Sequence, residues 1–166
     1  MTDASDVQRL AGAKEIADMT CNIPHPYEDG MAEEWIGRHA ETFAKREGVT
    51  LAITLADTGE LIGAISLMDI SDCHHHAEIG YWIGMPWWGS GYCTEAAREM
   101  VRFGFEDLGL HRIYGHHLVR NPASGRVMTK IGMTHEGTLR EHIRKGDTFH
   151  DIEVYGIVAS DWGESS

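Results

Sequence analysis

A glycine-rich loop between a predicted strand and a predicted helix has the composition of an anion-binding site. It reads Trp88-Gly89-Ser90-Gly91-Tyr92-Cys93, and the helix is predicted to begin near Thr94. Glycines permit positive φ and leave main-chain N–H groups uncovered, while a helix start adds unpaired N–H groups and the positive end of its dipole. Such a loop suits a phosphate or a pyrophosphate. The alternative is a tight strand-to-helix turn that binds no ligand.

Two nucleotide-binding motifs do not fit this loop. A dinucleotide-binding fingerprint needs a glycine where this chain has Thr94, three residues after Gly91. The Gly-Lys-Ser/Thr ending of a nucleoside triphosphatase loop is also absent from the sequence.

A second motif, Asn121-Pro122-Ala123-Ser124, opens another predicted helix directly after a strand and leads to Lys130-Ile131-Gly132-Met133. Together with residues 77–84 (AEIGYWIG) and 88–96 (WGSGYCTEA), it closely resembles the GNAT acetyltransferase superfamily. Within that superfamily, the chain most resembles the branch that contains the ribosomal-protein N-terminal acetyltransferases RimJ and RimL. The resemblance covers nearly the whole chain and rests on three motifs in a fixed order.

The resemblance implies a site for acetyl-CoA in a cleft where two neighbouring central strands splay apart, and it implies no metal. The pantetheine arm would pair with main-chain groups of Trp82, Ile83 and Gly84 on one side and contact Asn121 on the other. The pyrophosphate would be lined by the loop and helix start, namely Gly89, Ser90, Gly91, Tyr92, Cys93 and Thr94. Ser124 matches a serine near the thioester sulfur.

The chain departs from the family pattern in two places. The pyrophosphate motif of the superfamily is Q/R-x-x-G-x-G/A, and alignment on Gly91 puts Trp88 first and Cys93 last. Because main-chain amides would bind the anion, these side-chain changes need not abolish binding. The family usually has a strand before the first helix, but the segment 1–6 is too short and polar to form it. One edge of the sheet is therefore expected to be missing or to be completed by another element, such as a partner chain in a homodimer.

Acyl transfer to an amine defines the other roles. An attacking amine must be neutral, and at pH 7 roughly one in ten α-amines is neutral, against roughly one in 2,500 lysine side chains. By resemblance, Glu78 is the leading candidate for a general base, with the alternative that it fixes a loop or a nearby arginine. Glu141 and His142 are lesser candidates. Ser124 could donate a proton to the leaving thiolate, or simply cap its helix.

Periodicity predicts an α/β chain with a single domain over residues 4–160. Apolar spacing indicates a helix from about Val7 that frays near Cys21, and a second from Met31 to about Gly48, with Glu28 and Asp29 in its first turn. Further elements are predicted as strands at 51–55, 62–69, 77–84 and 111–119, helices at 94–108 and 124–131, and a hairpin of 134–144 with 148–158. The expected fold is the GNAT fold, a mixed and mostly antiparallel sheet with two central splayed strands and flanking helices.

Charge and composition limit the possible partners. The chain of 166 residues has a formal net charge of −12, which argues against binding to nucleic acid. Residues 112–145 nevertheless hold seven basic and two acidic side chains, and Arg126 and Lys130 lie on the helix nearest the expected cofactor. The acidic regions before them would then favour a cationic acceptor.

The cysteines, the histidines and the N-terminus point to no further function. The three cysteines have no C-x-x-C spacing, and consecutive residues 74–76 (His-His-His) point in alternating directions, so neither group indicates a metal site. With no signal sequence and no apolar run of 18 residues, we expect a cytoplasmic protein that does not bind membranes.

The sequence therefore predicts an acetyl-CoA-dependent N-acetyltransferase that acts on a primary amine by direct attack in a ternary complex. The α-amine of a protein N-terminus is one acceptor class, as in the ribosomal-protein enzymes. The alternatives are a small-molecule acceptor such as a polyamine, an amino acid or an antibiotic, and a non-catalytic module that senses acyl-CoA.

Overall fold

A computed structural model describes residues 3–163 and contains one six-stranded sheet in the order β1-β2-β3-β4-β6-β5. Every neighbouring pair is antiparallel except β3 with β4. The strands are β1 (Val49–Thr54), β2 (Leu61–Ser71), β3 (His76–Ile83), β4 (Arg112–Leu118), β5 (Thr134–Lys145) and β6 (Thr148–Val158). Within the described residues the first strand follows three helices, in agreement with the expected lack of an earlier strand.

Six helices of residues 3–163 flank the sheet. They are α1 (Ala4–Ala11), α2 (Lys14–Met19), α3 (Met31–Ala44), α4 (Tyr92–Glu106), α5 (Pro122–Lys130) and α6 (Ala159–Trp162), and a short 3-10 turn occupies Met85–Trp87. The expected mixed, mostly antiparallel sheet with flanking helices is confirmed.

The two central parallel strands separate after a short paired segment. Their register joins His76 to Arg112, Ala77 to Ile113 and Glu78 to Tyr114, and it ends there. Beyond Glu78, β3 pairs only with β2, and beyond Tyr114, β4 pairs only with β6. A wedge-shaped gap therefore opens between 79–83 and 115–118, as the predicted splay requires.

The helices bury two different faces of the sheet. The main core lies under α4 and α5 and includes Ile79, Val101, Ile113 and Met128, all 1% exposed or less. A second, smaller cluster lies under α1 and α3 on the opposite face. It contains Val7, Leu10, Ala11, Ala32 and Leu61. Alternate residues of β3 contribute to the two faces, which is the strand periodicity that the sequence indicated.

The first helix differs from the prediction. A break at Gly12 and Ala13 replaces the continuous helix from Val7 to Cys21, because Ala13 is extended, with φ −62° and ψ 132°. A side chain at Gly12 would meet the carbonyl oxygen of Gln8 at 2.6 Å. The interruption turns the chain so that α2 and the segment after it lie over the gap.

Two other boundaries were wrong. Glu28 and Asp29 precede α3 rather than forming its first turn, because Gly30 caps the helix with φ 91° and Glu33 and Glu34 follow it. α3 ends at Ala44 rather than near Gly48. Helix α6 was not predicted from the sequence.

A pair of glycine substitutions tests the close approach of β2 to β3. A Cβ atom at Gly63 would lie 2.2 Å from the Trp82 carbonyl oxygen, whereas Gly37 in α3 has no atom within 4 Å of that position. We expect Gly63→Ala to lower the free energy of unfolding by about 1–3 kcal/mol, because main chain must move. Gly37→Ala should raise it by up to about 1 kcal/mol through helix propensity. Equal effects of both variants in urea unfolding would contradict this packing.

Candidate active site

A cavity of about 1030 Å³ passes through the gap between β3 and β4 and opens on both faces of the sheet. On one side it reaches the start of α4 and the exposed face of α5. On the other side it reaches α3 and the segment that follows α2. Two reactants that enter from opposite faces could therefore meet at the gap.

The edge of β3 offers main-chain groups to this gap. The Gly84 N–H donates to the Ile62 carbonyl at 2.8 Å, so Gly84 and, by alternation, Trp82 turn their main-chain groups toward β2. Tyr81 and Ile83 turn theirs toward the gap. The Trp88 indole N–H already donates to the Ile83 carbonyl at 2.6 Å, which leaves the Ile83 N–H directed at the gap. Of Trp82, Ile83 and Gly84, which were predicted to bind pantetheine, only Ile83 has main-chain groups that face the gap. Trp82 lines the cavity, but its main-chain groups face β2.

The start of α4 has the uncapped N–H groups and the open glycine loop that an anion site needs. Gly91 is its N-cap with φ 89°, Gly89 has φ 74°, and no side chain caps the helix. The N–H groups of Tyr92, Cys93 and Thr94 therefore have no partner within the helix. A Cβ atom at either glycine would meet no atom within 4 Å, so this end of the helix is open.

The predicted loop residues differ in their access to the cavity. The cavity is lined by Gly89, Gly91, Cys93 and Thr94 but not by Ser90, which is exposed, or by Tyr92, which packs on the main core. Burial raises the pKa of the Cys93 thiol to about 12. Cys93 is thus a protonated thiol at neutral pH, which favours a packing role over a nucleophilic one.

Asn121 and Ser124 hold the opposite side of the gap. The Asn121 side chain caps α5 by accepting from the Ser124 N–H at 3.3 Å, and its amide donates to the Met19 carbonyl at 2.9 Å. Ser124 is therefore not the helix cap. Its hydroxyl lies 3.1 Å from the Tyr81 hydroxyl, which also lies within 3.1 Å of the Ser124 carbonyl oxygen. Burial raises the pKa of Tyr81, so its hydroxyl keeps its proton.

Arg126 and Lys130 provide positive charge beside the start of α4. Both are exposed residues of α5 that line the cavity. The Arg98 guanidinium of α4 donates to the Lys130 carbonyl at 3.2 Å and joins the two helices. Within residues 3–163 neither Arg126 nor Lys130 forms an ion pair, so both charges are available to an anionic ligand.

Glu78 lies where the two strands separate and faces the α1 and α3 side. It pairs with His116 of β4, whose Nδ1 lies 3.0 Å from a Glu78 carboxylate oxygen, and the two side chains are 17% and 18% exposed. Hydrogen bonds with Cys21 and with Glu78 raise the pKa of His116 to about 10, against the opposing effect of burial. The partner of Glu78 is thus a cationic histidine rather than the arginine considered from the sequence.

Hydrogen bonds hold the segment after α2 over the part of the cavity that Glu78 and His116 line. The Lys145 ammonium group donates to the carbonyl oxygens of Ala17 and Thr20, the latter at 2.7 Å. Asn121 holds Met19 from the other direction. These contacts place Cys21 beside His116, a neighbour more than 90 residues away in the chain that no local pattern could predict.

The structure separates the remaining candidates from the cavity. Glu141 and His142 lie on an exposed bulge of β5, where Glu141 has φ 51°, and neither lines the cavity. Within residues 3–163 no group of three or more His, Cys, Asp or Glu side chains is arranged to hold a metal ion. No helix of that part of the chain has the length and apolar character needed to cross a membrane.

Comparison with known proteins decides the family. The family model described as the acetyltransferase (GNAT) domain matches residues 1–134 of this chain. The chain belongs to the GNAT acetyltransferase family. It is therefore an acetyltransferase.

Three relatives of this GNAT acetyltransferase show how far the likeness extends. The uncharacterized N-acetyltransferase YoaA of Bacillus subtilis is 37% identical over 128 residues, 77% of this chain and 72% of YoaA. The [ribosomal protein uS5]-alanine N-acetyltransferase of Escherichia coli is 26% identical over 64% of this chain and 55% of its own length. A spermidine N-acetyltransferase from Vibrio cholerae, solved with CoA and spermine, shares the fold with a TM-score of 0.83 at 23% identity, covering 97% of this chain and 92% of that structure.

The His116 pKa makes the stability of the GNAT fold depend on pH. A histidine with a pKa of about 10 in the folded state and about 6.5 when unfolded stabilises the fold fully below pH 6.5. That contribution is lost as the pH rises through 10. We expect the difference in unfolding free energy between the wild type and His116→Gln to shrink steadily from pH 6 to pH 10. Urea unfolding at several pH values measures it, with His142→Gln on the exposed bulge as control, and a constant difference would contradict the assignment.

Proposed function

We propose that this protein transfers the acetyl group of acetyl-CoA to a primary amine by direct attack in a ternary complex. The observation that carries the proposal is the gap between β3 and β4. It joins an uncapped helix N-terminus on one face of the sheet to a carboxylate on the other. This arrangement lets a thioester and an amine approach one another from opposite sides.

Acetyl-CoA would enter from the α4 and α5 side. The N–H groups of Tyr92, Cys93 and Thr94, with the open loop at Gly89 and Gly91, suit its pyrophosphate. The remaining phosphate charge suits Arg126 and Lys130. The pantetheine arm would then lie in the gap against the main chain of β3, with Asn121 and Ser124 opposite.

The chemistry needs two proton transfers and one site for negative charge. The amine nitrogen attacks the thioester carbon, and its proton passes to Glu78 as the C–N bond forms. A main-chain N–H of the splayed strand, such as that of Tyr81, can stabilise the oxyanion. The C–S bond then breaks, and the CoA thiolate takes a proton from the Ser124 hydroxyl, which Tyr81 supports from 3.1 Å. Glu78 releases its proton to solvent and Ser124 regains one from solvent, so the enzyme is restored and the products are an amide and free CoA thiol.

The α-amine of a peptide N-terminus is the acceptor class that we propose first. Its lower pKa leaves far more neutral amine at pH 7 than a lysine side chain has, so one carboxylate base suffices. The relation to the uS5-alanine N-acetyltransferase of Escherichia coli supports this class.

Charge placed at the α4 N-terminus should block acetyl-CoA. Gly91→Glu adds a carboxylate and a side chain where the pyrophosphate would lie, and we expect at least a tenfold weaker Kd in calorimetry. Gly59→Glu is the matched control, because Gly59 also has positive φ with no atom within 4 Å and lies in the β1–β2 turn, outside the cavity wall. Unchanged acetyl-CoA binding by a folded Gly91→Glu protein would refute this site.

Removal of the base should lower kcat without affecting the cofactor. We expect Glu78→Gln to reduce kcat with a peptide amine by roughly 100-fold or more at pH 7, with little change in the KM for acetyl-CoA. Glu34→Gln is the control, since Glu34 also lines the cavity but lies on α3 rather than on the splayed strand. Equal kcat values for Glu78→Gln and Glu34→Gln would exclude Glu78 as the base.

A further inference from the structure

The part of the cavity on the α1 and α3 side, which we call the acceptor arm, has aromatic walls. Tyr27, Trp35 and Trp82 all line the cavity, and all three are half-buried against the second core cluster. Trp35 is held by an edge-to-face contact with His39, whose ring centroid lies 4.4 Å away. Fixed aromatic surfaces of this kind suit a planar or apolar group of a bound molecule.

One face of α3 points into the acceptor arm. Met31, Glu34, Trp35 and Arg38 line it at the spacing i, i+3, i+4 and i+7. Glu34 and Arg38 form an ion pair with an N–O distance of 3.4 Å. The helix therefore presents an apolar surface and an ion pair with no net charge to the acceptor arm.

The carboxylates of the cavity wall already have cationic partners. Among residues 3–163, the acidic residues that line the cavity are Glu34, which pairs with Arg38, and Glu78, which pairs with His116. Glu33, which acts electrostatically on Tyr27, does not line it. Arg120 also lines the cavity and forms no ion pair within residues 3–163, although Asp18 and Lys145 lie close enough to interact with it electrostatically. Among residues 3–163, most of the acidic side chains that give the chain its net charge of −12 thus lie outside the cavity wall.

The paired carboxylates and the arginine without an ion pair select against polyamines. Every additional ammonium group of a polyamine loses hydration on entry and needs a carboxylate of its own. Aromatic faces attract a cation as well, but an unpaired arginine in the same arm opposes a second positive charge. A molecule with one amine on an apolar body meets the aromatic walls without that penalty.

We propose that the acceptor arm selects an amine with a single ionisable nitrogen on an aromatic or apolar body and discriminates against polyamines. The inference rests on the proposed N-acetyltransferase activity and names the acceptor class of that same site. It separates this protein in specificity from the spermidine N-acetyltransferase whose fold it shares.

Matched amines test the charge requirement with the full chain and acetyl-CoA. n-Pentylamine and 1,5-diaminopentane have the same length and differ by one ammonium group. We expect kcat/KM, followed as release of CoA thiol, to be at least tenfold higher for pentylamine at 50 mM salt. The ratio should fall toward one in Arg120→Gln, which removes the unpaired cation, but not in Arg126→Gln, which lies on the acetyl-CoA side.

The aromatic walls are tested with phenethylamine and ethylamine. Trp35→Ala should lower kcat/KM for phenethylamine by about tenfold more than for ethylamine, and Trp35→Phe should restore most of the loss. A diamine used as well as pentylamine by the wild type, or a Trp35→Ala effect equal for both amines, would overturn the inference while leaving the acetyltransferase activity intact. Failure to acetylate any amine or peptide would instead refute the proposed function.

Discussion

The end of hydrogen bonding between β3 and β4 at Glu78 is the constraint on which the site depends. Main-chain N–H and C=O groups inside a sheet are nearly always paired, because an unpaired buried polar group is costly. Here the groups of Tyr81 and Ile83 face a gap rather than a neighbouring strand. The flanking pairs β2–β3 and β4–β6 continue normally, so the surrounding sheet keeps the two strands apart.

The helices α3, α4 and α5 border the gap on the two faces of the sheet. On one face, α4 and α5 direct an uncapped N-terminus and two free cations toward it. On the other face, α3 and the segment after α2 enclose Glu78 and its partner His116. A net charge of −12 therefore coexists with a cavity wall to which the described part of the chain contributes four Arg and Lys residues and two carboxylates. The overall charge of the chain does not predict the charge that either substrate meets.

The sequence could predict the elements whose signals are local. The glycine-rich loop, the amphipathic helix α4 and the Asn-Pro start of α5 all carry their information within about 15 residues, and each lies where it was expected. The break at Gly12 and Ala13 was missed because apolar spacing continues through it, and only the extended conformation of Ala13 in the structure shows where the helix ends. The boundary at Gly30 was missed because acidic residues flank that glycine on both sides.

Long-range side-chain groups could not be predicted in the same way. Cys21, Glu78 and His116 come from three distant segments, and their meeting depends on the strand register and on the Lys145 and Asn121 contacts that hold the α2 segment. The pairing of Ser124 with Tyr81 likewise needs α5 to cross β3. Tyr81 lay within a motif that the sequence had singled out, but its side chain could be oriented only once the faces of β3 were known.

Main-chain amide signals give the most direct test of the account. In ¹⁵N-labelled protein titrated with acetyl-CoA, we predict large shift changes and slower hydrogen exchange at Ile83, Tyr92, Cys93 and Thr94. Amides of the β5–β6 hairpin tip, residues 144–148, should remain unchanged. Saturating acetyl-CoA that leaves the Ile83 and α4 amides unaltered would contradict the central claim that the strand gap and the helix start form the acetyl-CoA site.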